Sequence, residues 1–136
     1  MLDYDLDSFI DEKKEDFIIK LDGVTLIGEI KGVNSNIKSG HVSQLDVHYQ
    51  SYLDSLVEAE QSEVVKSILI INHQRNKNIS DRIPVHEQQI NLAKRNGSLI
   101  IETTTLLKLF EKYKNKELST EEFIELLQKD FGLLTR

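Results

Sequence analysis

Two acidic residues and a lysine are spaced in one short segment so that they could meet. The segment contains Asp16, Glu29 and Lys31, and two runs of β-branched and apolar residues in it flank Asp22-Gly23. An Asp-Gly pair between such runs predicts a hairpin with a two-residue type I′ turn. In that register Asp16 lies directly opposite Glu29, with Cβ atoms about 5 Å apart.

This pairing brings like charges together and therefore suggests a metal site. Two carboxylates that face each other across a ladder repel unless a cation lies between them. Mg²⁺ takes carboxylate oxygens and keeps several waters. Side chains alternate along a strand, so Lys31 shares the face of Glu29 and could hold or deprotonate a water, or neutralise charge on a phosphate. The alternative is a cross-strand salt bridge on a solvated face.

The composition limits the classes of protein to which the chain can belong. The chain has 136 residues, of which 39% are hydrophobic and 29% charged, as expected for one globular domain with its own core. It has no cysteine, which excludes disulfides, thiolate catalysis and cysteine zinc sites. The apolar runs are too short to span a membrane and no signal-peptide pattern opens the chain, so we expect no membrane association and a cytoplasmic location.

The net charge of −6 argues against a protein that coats nucleic acid in general. It does not exclude a nuclease, in which an acidic cluster binds metal while a local basic patch follows the phosphate backbone.

The apolar spacing predicts an α/β fold, a mixed central β-sheet flanked by helices, in a single domain spanning residues 1–136. Strand–helix–strand order favours parallel pairing after the hairpin. The predicted elements are a short helix in 1–14, hairpin strands 17–21 and 24–31, a loop 32–40, a helix from 41 to about 61, a strand 67–72, a loop 73–84, a helix 86–95 stopped by Asn96-Gly97, a strand 99–101, a helix 106–113 and a last helix from Ser119 to Lys129, closed by Gly132.

The acidic residue Asp16, followed by Glu29-x-Lys31 and a polar loop into a helix, resembles the PD-(D/E)XK nuclease superfamily. Residues 67–105 are similar to the later strand–loop–helix–strand part of restriction-endonuclease-like domains. The resemblance covers roughly residues 15–110.

The resemblance implies a role for each residue that matches the motif. Asp16 and Glu29 would bind Mg²⁺ or Mn²⁺, with the backbone carbonyl of Ile30 as a further ligand. Lys31 would assist the attacking water. Gln44, on the helix after the loop, matches the glutamine that many members place near the metal.

The segment before the motif is short. Members of the superfamily often carry an additional glutamate on a leading helix, and in residues 1–15 the candidate for this extra acid is Glu12. The proline of the eponymous pair is Glu15 here. With so little chain before Asp16, we expect the sequence to be a fragment of a longer protein with other domains.

Basic side chains follow the predicted strand 67–72. In α/β folds, functional sites are commonly in the loops at strand ends, so this loop could bind phosphate. The alternative is a solvated loop. The candidates are His73, Arg75, Lys77 and Arg82. For the other three histidines we expect surface or capping roles.

The function implied by the resemblance is a Mg²⁺-dependent phosphodiesterase, a nuclease acting on nucleic acid with DNA as the expected substrate, and a homodimer would let two sites cut two strands. The alternative is a non-catalytic restriction-endonuclease-like module that serves binding or dimerisation within a larger protein. The two hypotheses differ in one observable property, because only the enzyme should bind Mg²⁺ or Mn²⁺ through its carboxylates.

Overall fold

The predicted hairpin is present in the structure, a computed structural model that describes residues 16–21, 23–56 and 63–135. Strands Phe17–Leu21 (β1) and Val24–Gly32 (β2) pair antiparallel, from Leu21 opposite Val24 to Phe17 opposite Gly28. Gly23 has a φ of +85°, which a two-residue hairpin turn of this kind requires. The register of these pairs is therefore confirmed, while the turn residue Asp22 lies outside the described residues.

The described residues form a five-stranded sheet in the order β1-β2-β3-β4-β5, flanked by helices. The first pair is antiparallel and the other three pairs are parallel, which confirms the α/β fold with a mixed sheet. The remaining elements are Ser39–Ser55 (α1), Val65–Asn72 (β3), Glu87–Asn96 (α2), Ser98–Glu102 (β4), Thr103–Lys114 (α3), Thr120–Lys129 (α4) and Gly132–Leu133 (β5), with a 3₁₀ turn at Ile79–Asp81.

The sheet is covered on both faces, and each face has its own apolar core. One core joins Leu69 and Ile100 of the sheet to Val42 and Leu45 of α1 and to Ala93 of α2. Burial on both faces explains why β3 and β4 are continuous apolar runs rather than alternating ones.

The second core lies under α3 and α4. It joins Ile68, Leu99 and Ile101 of the sheet to Leu109 of α3, and Phe123 of α4 packs against it.

Local signals set several helix ends. Gly97 adopts the left-handed conformation after α2, with a φ of +72°, as the predicted stop requires. Ser119 accepts a hydrogen bond from the Glu122 amide and the Glu122 carboxylate accepts one from the Ser119 amide, which confirms the predicted capping box before α4.

Several predicted boundaries differ from the structure by a few residues, and three differences affect how the elements are described. Helix α1 ends at Ser55 rather than near residue 61, and residues 57–62 lie outside the described part of the chain. Helix α3 begins at Thr103, because the Thr103 hydroxyl donates to the Ile71 carbonyl and fixes the turn after β4. Gly132 follows the last helix, as predicted, and it also begins β5, a strand that the sequence prediction omits.

Within the ranges described above, no helix has the length and apolar character needed to cross a membrane. The predicted short helix in residues 1–14 lies outside those ranges.

Candidate functional site

Asp16 lies at the end of the hairpin, just beyond the last ladder pair. Its amide donates to the Gly28 carbonyl at 2.9 Å, and its carboxylate Oδ2 accepts from the Ile30 amide at 2.7 Å. The Asp16 side chain is thus the acceptor for the Ile30 amide just beyond the last pair of the β1–β2 ladder. The aspartate is thereby fixed beside both chain neighbours of Glu29.

Glu29 is a buried acid, and only 2% of its surface is exposed. Helix α1 brings His48 onto it, so that Nδ1 of His48 contacts Oε1 of Glu29. The other carboxylate oxygen, Oε2, is buried and has no hydrogen-bond partner among the described residues.

Burial and the neighbouring charges shift the pKa of Glu29 in opposite directions. Burial raises the pKa of the Glu29 carboxyl, the neighbouring His48 and Lys31 oppose that rise, and the nearby Asp16 carboxylate adds to it. The predicted trio of Asp16, Glu29 and Lys31 is therefore close enough for its charges to interact.

Lys31 follows Glu29 on the same face of β2 and is half-buried. The same lysine acts on His41 of α1: burial lowers the pKa of His41, and the charges of Lys31 and Lys38 lower it further. The charge of Lys31 therefore acts both on the Glu29 carboxyl and on His41 in the first turn of α1.

Gln44 lies on α1 one turn before His48, and its side chain is exposed. It makes no hydrogen bond to another residue of the described chain. Its predicted role near a metal stays a prediction.

Two carboxylate oxygens near each other could serve as ligands of a hard divalent cation. Asp16 Oδ1 and Glu29 Oε2 are carboxylate oxygens without a hydrogen-bond partner in the described ranges, and such oxygens are what Mg²⁺ prefers. No group of three or more His, Asp or Glu side chains in those ranges is arranged to hold a metal. A cation here would therefore complete its shell with a backbone carbonyl, such as that of Ile30, and with water. The further candidate Glu12 lies outside the described residues.

Arg75 is the phosphate candidate nearest the trio. Its guanidinium packs on Gly32, directly after Lys31: a Cβ added at Gly32 would lie 3.1 Å from Nη1 of Arg75. The Arg75 amide donates to the Val33 carbonyl at 3.1 Å and Nε donates to Oδ1 of Asn34 at 3.2 Å. This arginine remains exposed, as does Lys77 in the same loop.

The two other phosphate candidates help to build the loop. His73 is only 3% exposed, and its Nε2 donates to the Ile83 carbonyl at 2.9 Å. Nη1 of Arg82 donates to Oδ1 of Asn72 at 2.7 Å, and its Nε donates to the Lys77 carbonyl at 3.3 Å. Both line a cavity of about 170 Å³ at the carboxyl ends of β3 and β4. His73 is thus less accessible to a phosphate than the sequence suggests.

Two structural features of this region were missed from the sequence. His48 was expected on the surface or at a cap, but it contacts Glu29; the signal was its spacing of two turns from His41, which places both on the face of α1 towards β2. Gln74 holds the basic loop, with a φ of +49° and an Oε1 that accepts from the Ile83 amide at 2.6 Å. No local pattern marks such a residue.

Comparison of the chain with protein families, with curated proteins and with solved structures gave no match.

Proposed function

We propose that this chain is a Mg²⁺- or Mn²⁺-dependent phosphodiesterase with a restriction-endonuclease-like domain, and that it hydrolyses nucleic acid, with DNA as its expected substrate. The observation that carries the proposal is a buried carboxylate, Glu29, that keeps one oxygen unbonded among the described residues while a second carboxylate and a lysine lie beside it.

A purely structural role explains this arrangement less well. A carboxylate that is buried only to stabilise a fold should have both oxygens satisfied, because an unsatisfied buried charged group costs more than the 1–3 kcal/mol typical of neutral groups. Placing Asp16 nearby raises that cost. A divalent cation would remove both penalties at once, since it attracts both carboxylates.

The chemistry assigns separate tasks to the side chains. Water adds to phosphorus and one P–O ester bond breaks, which leaves a phosphate monoester and an alcohol. Asp16 and Glu29 would hold the cation, which when bound polarises a phosphoryl oxygen and lowers the pKa of a bound water. Lys31 positions the attacking water or takes its proton, and Gln44 orients that water or the phosphate.

The basic loop supplies the affinity for the substrate. Arg75 and Lys77 are exposed at the carboxyl end of the central strands, which is also where Lys31 lies. Phosphate contacts of this kind position a nucleic acid without reading its sequence.

A cleavage assay tests the proposal. The protein is incubated with linear, nicked, branched and single-stranded substrates in Mg²⁺ or Mn²⁺, beside the Asp16→Ala and Lys31→Ala variants. Lys112→Ala is the matched control, because Lys112 is exposed on α3. We expect metal-dependent cleavage by the parent and by the control, and a loss of at least 100-fold in the other two variants. Cleavage that survives both substitutions would rule out this site.

A second candidate is the non-catalytic module. It is favoured by the absence, within the described ranges, of a three-residue His, Asp or Glu cluster that could hold a metal. The module predicts no carboxylate-dependent uptake of Mn²⁺ in a calorimetric titration, whereas the enzyme predicts it.

A further inference from the structure

We propose that the cavity at the carboxyl ends of β3 and β4 is a binding site for one pyrimidine base, either in a free nucleoside or unpaired in a nucleic-acid strand. The polar residues that carry the inference are His73 and Arg82, which line the cavity together with Glu102. The inference goes beyond the proposed function and does not rest on it, because it involves neither a metal ion nor cleavage.

The cavity has the size of one six-membered ring. Its volume is about 170 Å³. An apolar protein cavity of roughly 150 Å³ holds one benzene molecule, so a single ring fits this space better than the fused rings of a purine. The apolar part of the wall is formed by Ile71, Ile79, Ile83 and Pro84. Ile79 and Ile83 are 65% and 50% exposed, and a flat ligand packed against them would remove apolar surface from water.

His73 supplies a buried acceptor in the wall of this cavity. Its side chain is 3% exposed, and its Nε2 lies 2.9 Å from the Ile83 carbonyl oxygen. A carbonyl oxygen can only accept, so Nε2 carries the proton and Nδ1 of the neutral ring is an acceptor. That Nδ1 is buried and has no hydrogen-bond partner among the described residues. An unpartnered buried acceptor is unfavourable, and an N–H group of a ligand would satisfy it.

The other polar side chains of the wall include both a donor and an acceptor. Arg82 uses Nη1 and Nε within the loop, and its Nη2 makes no hydrogen bond to the described residues. Glu102, half-buried in the same wall, offers carboxylate oxygens. A simple anion would meet Glu102 as a like charge. The base-pairing edge of a pyrimidine carries N–H donors beside carbonyl or ring-nitrogen acceptors, and proteins that bind an unpaired base recognise this edge by hydrogen bonds while apolar side chains pack on the ring.

A cavity that holds only water is the competing explanation, because water can also satisfy a buried nitrogen. It predicts no saturable uptake of a nucleoside. It also predicts that changes in the cavity wall alter stability alone. The pyrimidine site predicts that binding is lost when the cavity is filled or when the acceptor is removed.

The test measures binding of cytidine to the whole chain by titration calorimetry, with thermal unfolding as the check on folding. His73→Gln keeps an N–H donor at the same number of bonds from Cβ as Nε2 and has no acceptor at the position of Nδ1. Thr104→Phe fills the cavity, because Thr104 is half-buried in its wall. Lys108→Phe is the matched control, since it adds the same ring at an exposed position of α3 outside the cavity.

We expect the parent to bind cytidine saturably, each of the two wall variants to bind it at least about 10-fold more weakly, and Lys108→Phe to bind it as the parent does. A parent that binds no cytidine at millimolar concentration, or a folded wall variant that binds it as tightly as the parent, overturns the inference. Inorganic phosphate is titrated in parallel, and binding of phosphate without cytidine would make this an anion site and overturn it too. If neither wall variant folds, amide chemical shifts of the parent decide: changes centred on Ile83 and Thr104 support the inference, and changes elsewhere overturn it.

A single strand of deoxycytidines, titrated without a divalent cation so that it is not cut, distinguishes the two sources of the base. If the strand binds more tightly than cytidine and Thr104→Phe removes the gain, the ligand is an unpaired base of a nucleic acid. If the strand binds no more tightly, the ligand is the free nucleoside.

Discussion

At the scale of single residues, Glu29 is a charge held where a charge is unfavourable. Its burial raises the pKa of the carboxyl, and the Asp16 carboxylate adds to the effect. A carboxyl whose charged form is disfavoured by burial, yet which occupies the interior of a strand, is typical of a functional site, where stability is given up for chemistry.

Replacing Glu29 by glutamine should therefore stabilise the metal-free protein. The amide has the same size and no charge to desolvate, so we expect the free energy of unfolding at pH 7 to rise by about 0.5–2 kcal/mol. Urea unfolding in the presence of a chelator measures it.

The matched control is Glu125→Gln, because the carboxylate of Glu125 is exposed and pairs only with Lys129 one turn later, at 2.9 Å. That substitution should change the free energy of unfolding by less than about 0.5 kcal/mol. A Glu29→Gln variant that is clearly less stable than the parent would show that the carboxylate serves the fold.

Lys66 makes the stability of the fold depend on pH in the alkaline range. Its side chain is 4% exposed, and Nζ donates to the Asp130 carbonyl at 2.6 Å and lies 3.3 Å from the centroid of the Phe131 ring. Burial lowers the pKa of Lys66 to about 8, although the Asp130 carboxylate partly opposes this.

Between about pH 8 and pH 10.5 the folded protein has lost this proton while the unfolded chain still holds it. Stability therefore rises with pH across this window, with a slope of up to about 1.4 kcal/mol per pH unit from this one group. Urea unfolding of the parent and of Lys66→Met from pH 7 to pH 10.5 isolates the contribution of Lys66 to this slope, since the two proteins have all other titrating groups in common. Equal slopes in the two proteins would contradict the prediction.

At the scale of elements, the hairpin depends on one glycine. A Cβ at Gly28 would lie 2.6 Å from the backbone carbonyl oxygen of Ile68 on β3, and it would also meet the ring of Phe17 on β1. The absence of a side chain at this position lets three strands approach each other and places Asp16 beside Glu29.

Substituting Gly28 by alanine should lower the free energy of unfolding by about 1–3 kcal/mol, because the atom it would meet is backbone and cannot turn aside. Chemical denaturation measures the change. Gly40→Ala is the control: nothing lies within 4 Å of the added atom in the first turn of α1, so stability should stay the same or rise by up to about 1 kcal/mol. Equal stabilities for the two variants would contradict the packing described for the hairpin.

Local chemistry made the elements predictable. Asp22-Gly23 set the hairpin register, Gly97 ended α2, and the pair Ser119 and Glu122 began α4, because each signal acts within a few residues. Strand β5 was missed because its two residues carry no pattern of their own. It is defined by contacts with a strand distant in sequence, such as the hydrogen bond of 2.9 Å that the Leu134 amide donates to the Ile100 carbonyl of β4.

The proximity of the three charged residues was predictable in the same way, while their role as a site stays a prediction. Asp16, Glu29 and Lys31 belong to one hairpin segment, and their charges interact, although the β1–β2 ladder ends at Phe17 opposite Gly28. The two-turn spacing of His48 from His41 indicates a shared face of α1, but the contact between Glu29 and His48 depends on how α1 packs on the sheet, which that spacing does not specify.

At the scale of the whole molecule, the proposed binding of nucleic acid requires a cationic edge on an acidic protein. The net charge is −6, so binding depends on where the positive charges are. Arg75 is exposed and packs beside Gly32 at the carboxyl end of β2, whereas Arg95 is exposed in the last turn of α2, next to the start of β4 at the opposite edge.

Arg75→Ala should weaken binding to DNA of any sequence and reduce the slope of log affinity against log salt by about 1. Fluorescence anisotropy measures it, in a Lys31→Met background so that the probe is not cut. Arg95→Ala should leave the affinity and the salt slope unchanged. An equal effect of the two substitutions would mean that the proposed edge does not face the nucleic acid.

The central claim is that Asp16 and Glu29 together hold a divalent cation, and calorimetric titration with Mn²⁺ up to millimolar concentration tests it most directly. We predict that the parent binds Mn²⁺ with a measurable heat and that this heat is lost in both Asp16→Asn and Glu29→Gln, each folded as judged by thermal unfolding. A parent protein that takes up no Mn²⁺, or variants that bind it as tightly as the parent, would contradict the claim.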